Sequence, residues 1–293
     1  MHEIEIQHNH ELDEHNFLGC CLDCQKSLDI IKPHILTFYD NIKVHTQNSL
    51  KKLSIEELYQ LYQALDDIAH IEVGDHLGEL ILTDKEIRSV LPSIRFYYSF
   101  FFDIHEENLA HNICNSSDPW KVLENFALYP RYESLITSQW DLLRLNKDTR
   151  IAFIGAGFVP ITLILLNRIY GTPSIGFDTN PEAISMGREC IKKLGMEKDI
   201  KLEYGNEKGL LSNDWDSILV AALAEPKKRI FKNLKKILKK KGSKPVCFRT
   251  YTGIRSVLYY PVREKDIKDF KIIDKSYPTG RVNNTLVFAE LKR

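Results

Sequence analysis

The chain has 293 residues, 43% of them apolar and 27% charged, with 40 Lys and Arg balancing 40 Asp and Glu. That composition excludes a low-complexity or collagen-like chain and a uniformly basic nucleic-acid binder, and the length suits about two domains. No run approaches the ~18 consecutive apolar residues that cross a bilayer, so neither a membrane nor a nucleic acid is expected as a partner.

The neutral total hides a split. Residues 1–150 carry 13 basic and 25 acidic side chains, whereas residues 151–293 carry 27 and 15. The shift predicts a boundary at 147/148, with domains at 1–147 and 148–293. The opening MHEIEIQHNHELDEHN is acidic and polar, unlike a signal peptide, and predicts a disordered tail over 1–16 in a cytoplasmic protein. His8, His10 and His15 in that tail are read as solvated residues. Cys20, Cys21 and Cys24 cluster near His34, but no second C-x-x-C pair completes a structural zinc site, and no metal site is expected. With Cys114, Cys190 and Cys247 scattered, the six cysteines do not form a disulfide framework.

In chain order, LSIEELYQLYQALDDIAHI (53–71) spaces Leu58, Leu61, Tyr62, Leu65 and Ile68 for a helix, with Ser54 and Glu57 as a capping box. A second helical stretch, 83–113, is expected to start on a Thr83 cap and to kink or break before Pro92. A third, 117–145, starts with Asp118 as N-cap and Pro119 at N1, and Pro130 should end or kink it near residues 128–129. From there strands and helices alternate. Strands are predicted at 151–155, 174–178, 200–204, 216–221, 245–250 and 284–290, and helices at 159–170, 181–194 and 226–239. That alternation means an α/β fold with a doubly wound, Rossmann-like sheet, preceded by an all-helical N-terminal domain. The Lys-rich KNLKKILKKKG (232–242) has no interleaved aromatics and reads as the exposed face and C-terminus of one helix.

The stretch IAFIGAGFVPITLILL (151–166) joins a strand to a helix through Gly155, Ala156 and Gly157. In open parallel sheets a ligand sits beyond the carboxyl ends of the strands, where glycines let the backbone approach it. Asp178 closes the next strand, 23 residues after Gly155, where a carboxylate can accept ribose hydroxyls; the plainer alternative is a tight turn capped by a carboxylate. A dinucleotide fingerprint wants Gly or Ala where this chain has Pro160, which disfavours a nicotinamide cofactor. S-adenosylmethionine, lacking phosphate, makes no such demand. Where methyltransferases usually carry an acid, two residues before the first glycine, this chain has Phe153, which points away from methyl transfer. All ten histidines precede residue 112, so the nucleotide-binding half has no imidazole base.

The same glycine stretch, together with DPWKVLENFALYPRY (118–132), VAALAEPKKRIFKNL (220–234), FRTYTGIRSVLYYPV (248–262) and GRVNNT (280–285), resembles the nicotianamine synthase family. These motifs run collinearly over roughly 90–290; the first 50 residues carry no recognisable match. The resemblance implies an aminobutyrate transferase, in which an acceptor amine attacks the γ-carbon of S-adenosylmethionine and releases methylthioadenosine. S-adenosylmethionine is then a substrate, and catalysis needs no metal. A single-transfer synthase of an opine metallophore, with histidine as acceptor, is the alternative within the same superfamily. A non-catalytic S-adenosylmethionine-binding protein is a third reading. The resemblance places the base at Glu106, or at Glu107 if the register slips by one, and an orienting tyrosine at Tyr132. Glu106 could instead be a solvated helix carboxylate, and Tyr132 a core-edge aromatic.

Cofactor-binding candidates are Gly155, Ala156, Gly157, Asp178, Asn206 after the third strand, and Ala221 and Ala222 ending the fourth. Arg131, Arg249, Arg255 and Arg281 are candidates to hold substrate carboxylates, because a guanidinium offers a bidentate fork. The site is expected as a closed chamber between the two domains. Oligomeric state, a homodimer included, is left open.

Overall fold

A computed structural model describes residues 22–71, 73 and 75–292. The expected tail at 1–16, its histidines, and Cys20 and Cys21 lie outside the described residues. Contacts divide the chain into two compact units. The first holds the described residues up to Phe102 and takes in Tyr251–Pro261; the second holds Asp103–Thr250 and Val262–Arg293.

The first unit is helical among its described residues: α1 (Leu22–Ile42), α2 (Gln47–Leu50), α3 (Ile55–Ala69), α4 (Asp75–Thr83) and the leading part of α5 (Lys85–Asn115). The capping box on α3 forms as expected. Ser54 accepts from the Glu57 N–H, and Glu57 accepts from the Ser54 N–H. The buried stripe of α3 meets α5, where the Tyr62 and Phe101 rings stack 4.1 Å apart. Thr83 is not the cap of α5. It ends α4 with its hydroxyl donating to the Glu79 and Leu80 carbonyls, and Asp84 accepts the Glu86 and Ile87 N–H groups instead. Nor does Pro92 break the helix, which runs on to Asn115. The aromatic face that follows Pro92, with Tyr97 and Phe101 buried, packs both sides of the proline turn into one core and offsets the missing N–H. In the returning segment Tyr251–Pro261, Gly253 approaches Gly78 so closely that a β-carbon on Gly78 would meet the Gly253 Cα at 2.7 Å.

The second unit is α/β. It takes the rest of α5, then α6 (Pro119–Glu124) and α7 (Tyr129–Leu143), followed by β1 (Ile151–Ile154), α8 (Ile161–Tyr170), β2 (Ser174–Asp178), α9 (Pro181–Lys193), β3 (Ile200–Tyr204), β4 (Ser217–Val220), α10 (Lys227–Lys241), β5 (Val246–Thr250), β6 (Phe270–Ser276) and β7 (Thr285–Leu291). Pro130 does separate two helices, sitting in the first turn of α7 where its missing N–H costs nothing. The sheet order is β3-β2-β1-β4-β5-β7-β6, parallel from β3 to β5, with β7 antiparallel to β5 and β6 antiparallel to β7. This is the Rossmann-like sheet expected, with β6 added. Its FKIIDKS mixes lysines and an aspartate into an exposed edge strand, so the apolar run that marks the parallel strands is absent there.

Alternating residues of each strand feed two cores. Ile151 and Phe153 face α7, α8 and α9, whereas Ala152 and Ile154 face α10 through Ile230, Phe231 and Leu234. Leu109, Ile113, Leu123, Leu135 and Ile136 belong to the first of these cores. The compact division therefore falls at 102/103 rather than at 147/148, because the helices from the second half of α5 onward bury their apolar stripes on the sheet.

The order reverses between β1 and β4, which opens a crevice at the carboxyl ends of those strands. Helix α9, which follows Asp178, is started by Asn180, whose side chain accepts the Glu182 N–H at 3.0 Å and the Ala183 N–H at 3.4 Å. Asn180→Ala should therefore cost about 1 kcal/mol and lower Tm by roughly 2–4 °C, read by thermal unfolding. An unchanged Tm would contradict this cap.

Candidate active site

At the end of β1 the chain turns through Gly155 and Gly157, both in the left-handed region with φ of 88° and 70°. A β-carbon on Gly155 would come within 2.9 Å of the Ala224 Cβ and 3.1 Å of the Ala221 Cβ. One on Gly157 would collide with Glu106 Oε2. Only glycine satisfies both the dihedral and the space at these positions. Ala156 between them is buried.

The Gly157 N–H donates to Asp178 Oδ2 at 2.9 Å, and Asp178 Oδ1 accepts the Asn180 N–H at 2.9 Å. Asp178 thus fixes the turn, as the plainer alternative had it, with one further lone pair on each oxygen. Asn206 opens a 3-10 turn after β3 by accepting the Lys208 N–H at 3.0 Å. The Ala221 N–H continues the β1–β4 ladder to the Ile154 carbonyl at 2.9 Å, and Ala222 is next on the loop that leaves β4. These candidates all lie at or just beyond the carboxyl ends of β1 to β4.

Glu106 lies on α5, half-buried, against this turn. Its carboxyl accepts hydrogen bonds from the Phe158 N–H and the Tyr132 hydroxyl. Phe158 is two residues before Pro160, the N-cap of α8, so Glu106 occupies the anion-accepting approach to a helix N-terminus. Burial raises the Glu106 pKa to about 8, and the charges of Asp103 and Asp178 push the same way; the Phe158 and Tyr132 hydrogen bonds pull it down. Glu107, its neighbour, does not share this position. It acts on Asp103, whose pKa is raised to about 6 by burial first and then by Asp178 and Glu107. Asp103, one helical turn before Glu106, was not foreseen; its i, i+3 spacing on one helix face was the available signal.

The four arginines stand on different elements. Arg131 adjoins Tyr132 on α7. Arg249 is buried in the sheet, its Nη2 donating to Gln139 Oε1 at 3.0 Å and Thr162 Oγ1 at 2.9 Å, 5.6 Å from the Phe153 ring centre. Arg255 belongs to the helical unit, and Arg281 is exposed before β7. Phe153 faces the α8 core, which explains why no acid occupies that position. Among the described residues no group of three or more His, Cys, Asp or Glu is placed to hold a metal ion, and no helix is long and apolar enough to cross a membrane.

Bare backbone at the end of β1, beside a strand-ending aspartate, fits an adenosine-bearing substrate that carries no phosphate. Fold and site together define a Rossmann-like α/β protein with a basic carboxylate poised over its glycine turn. Residues 24–293 match the family model described as nicotianamine synthase protein, and the chain belongs to that family. The match reaches further toward the N-terminus than the motifs legible from residue 90 on. The chain is 24% identical over 289 residues to nicotianamine synthase 1 of Arabidopsis thaliana, covering 91% of this chain and 85% of that one. It is 20% identical over 251 residues to the L-histidine 2-aminobutanoyltransferase of Yersinia pestis, covering 85% and 89%. Among solved structures it is similar to MtNAS in complex with MTA and tNA, at 30% identity and a TM-score of 0.83, over 94% of this chain and 100% of that chain. A glutamate-to-glutamine mutant of MtNAS in complex with S-adenosylmethionine gives 29% identity and a TM-score of 0.80, over 93% and 99%.

The Glu106 carboxyl has a folded-state pKa of about 8 against an ordinary value near 4.5. Between those values the folded protein holds a proton that the unfolded chain has lost. The stabilisation is complete below about pH 4.5 and disappears as pH rises through 8. Glu106→Gln cannot ionise, so its Tm relative to wild type should rise from pH 5 to about pH 8 and level off above that. A Tm difference independent of pH would contradict the raised pKa.

Proposed function

We propose that the chain is an aminobutyrate transferase that moves 3-amino-3-carboxypropyl groups from S-adenosylmethionine to an amine and builds a nicotianamine-type metal chelator. The observation that carries this reading is the Glu106 carboxyl held by Tyr132 and the Phe158 N–H directly over Gly157. An amine acceptor is protonated at neutral pH and must lose a proton before it can attack. A carboxylate with a pKa of about 8 is matched to that task, whereas an ordinary glutamate is too weak a base.

In the proposed step Glu106 takes the ammonium proton. The freed lone pair forms a bond to the γ-carbon of the methionine chain, and the C–S bond breaks. Sulfur keeps the electron pair, so methylthioadenosine leaves neutral and the sulfonium charge is cancelled. Tyr132 orients the Glu106 carboxyl. Asp103 and Asp178 keep it basic and give the crevice a negative field that suits a sulfonium and an ammonium. Gly155, Ala156, Gly157, Asp178, Asn206, Ala221 and Ala222 are the proposed S-adenosylmethionine contacts. Arg131, on the same helix as Tyr132, is the proposed partner of a substrate carboxylate. The glutamate replaced by glutamine in the S-adenosylmethionine complex of MtNAS supports a glutamate in this role. The proposed setting is the cytoplasm, where free thiols such as Cys24, Cys114, Cys190 and Cys247 persist.

A second reading, one transfer to histidine, is supported by the match to the Yersinia pestis relative over 85% of this chain. Purified protein incubated with S-adenosylmethionine alone, then with single amino acids, separates the two by product mass. Methylthioadenosine from S-adenosylmethionine alone, with a product of three aminobutyrate units, is expected. A product one unit heavier than histidine, formed only when histidine is present, would establish the second reading. Release of no methylthioadenosine under any condition would overturn both.

The rate should also follow the base. kcat/KM for S-adenosylmethionine should rise with pH and level off above about 8, as Glu106 loses its proton. A profile flat from pH 6 to 9 would remove Glu106 from the role of base.

A further inference from the structure

Helix α10 begins with Lys227, Lys228 and Arg229, with no acidic residue in its first turn. The positive end of a helix dipole disfavours cations, so three in a row at an N-terminus break a local rule. Such breaks persist where another contact compensates them. For Lys227 that contact is internal. Its side chain is only 6% exposed, and its ammonium donates to the Ala221 carbonyl at 3.2 Å, the Ala222 carbonyl at 2.8 Å and the Ala224 carbonyl. Glu225 Oε1 lies 3.6 Å from the same nitrogen. An ammonium has three N–H donors, and here three carbonyls receive them.

Those carbonyls belong to the loop that leaves β4 on the crevice side of the sheet. This is the loop whose Ala221 and Ala224 methyl groups stand where a side chain on Gly155 would fall. Residues 221–224 have no strand or helix of their own; the Ala224 N–H reaches the Ala221 carbonyl at 3.3 Å, and without Lys227 the Ala222 and Ala224 carbonyls would turn to water. A water-filled loop could not hold two methyl groups at fixed distance from the turn.

We propose that Lys227 is a positioning residue of the donor site: its ammonium gathers the carbonyls of Ala221, Ala222 and Ala224 and sets the loop after β4 against the Gly155 turn at the spacing that S-adenosylmethionine needs. The inference rests on the placement of S-adenosylmethionine at that turn. Burial draws the Lys227 pKa down to about 8 while Glu225 pulls it up, so at neutral pH the group is charged and all three donors are available. Lys227 does not itself touch the reacting atoms. It shapes one wall of the crevice, and the Glu106 wall opposite is built from α5 and α7 without it.

The test is a KM-against-kcat split on Lys227→Met, with Lys227→Gln as a milder variant that leaves a polar group among the carbonyls and folds more readily. KM for S-adenosylmethionine should rise at least tenfold in Lys227→Met and about threefold or more in Lys227→Gln. KM for the acceptor and kcat at saturation should stay within threefold of wild type. If either variant folds with an unchanged KM for S-adenosylmethionine, the proposal is overturned. It is equally overturned if kcat falls while both KM values hold, since that pattern reports a smaller folded fraction and no change in the donor site. Gly155→Val, measured in parallel for S-adenosylmethionine binding by calorimetry, tests the placement beneath the proposal. Retained binding there would sink the donor placement. Lost binding there together with a normal Lys227→Met would sink only the clamp.

Discussion

The site depends on one contact, the Glu106 carboxyl seated on a side-chain-free stretch of backbone. A β-carbon at Gly157 would occupy the space of Oε2, so the glycine is needed for more than its left-handed φ of 70°. The Phe158 N–H and the Tyr132 hydroxyl then hold the carboxyl in place. Burial and two neighbouring aspartates work against its charge. The balance leaves a carboxyl with its pKa raised to about 8, as expected when desolvation and like charges act together. Four elements of the second unit meet at that seat. Helix α5 carries Glu106, α7 carries Tyr132, β1 ends in the turn, and β2 supplies Asp178 to fix the turn from below.

The opposite wall is assembled differently. Where the Glu106 side uses side chains to hold a side chain, the loop after β4 uses one buried ammonium to hold backbone. Both solutions satisfy polar groups that the crevice would otherwise leave desolvated, at a net of about 1 kcal/mol each for neutral pairs and more where a charge takes part. The arrangement explains why Phe153 can replace the acid usual at that position. The residue faces the α8 core, and negative charge beside the glycine turn comes from Asp103 and Asp178 instead.

Much of this was legible in the sequence because it is local. Ser54 with Glu57 and Asp118 with Pro119 are short-range signals, and each starts a helix as expected. The parallel strands were legible from their apolar runs, and the glycine turn from its position between strand and helix. What escaped depends on long-range packing. Charge composition placed the boundary at 147/148, but apolar contacts of the second half of α5, α6 and α7 assign those helices to the sheet. The edge strand β6 lacks the alternation of a half-buried strand, and Asp84 displaced Thr83 as cap by one residue. Arg249 was a candidate carboxylate clamp because a guanidinium offers a bidentate fork. In the fold it is committed to Gln139 and Thr162, which lie 110 and 87 residues away in sequence. Lys227 carried a signal, a cation at a helix N-terminus, whose meaning appears only once the three carbonyls are seen around it.

Which carbon of S-adenosylmethionine meets the amine is the most direct question to ask of this site. Incubation with S-adenosylmethionine labelled at the S-methyl carbon, followed by mass spectrometry of both products, answers it in one experiment. Label retained on the released nucleoside, with an unlabelled acceptor heavier by an aminobutyrate unit, is the expected result. Label on the acceptor would mean methyl transfer and would contradict the role assigned to Glu106 and its seat on the glycine turn.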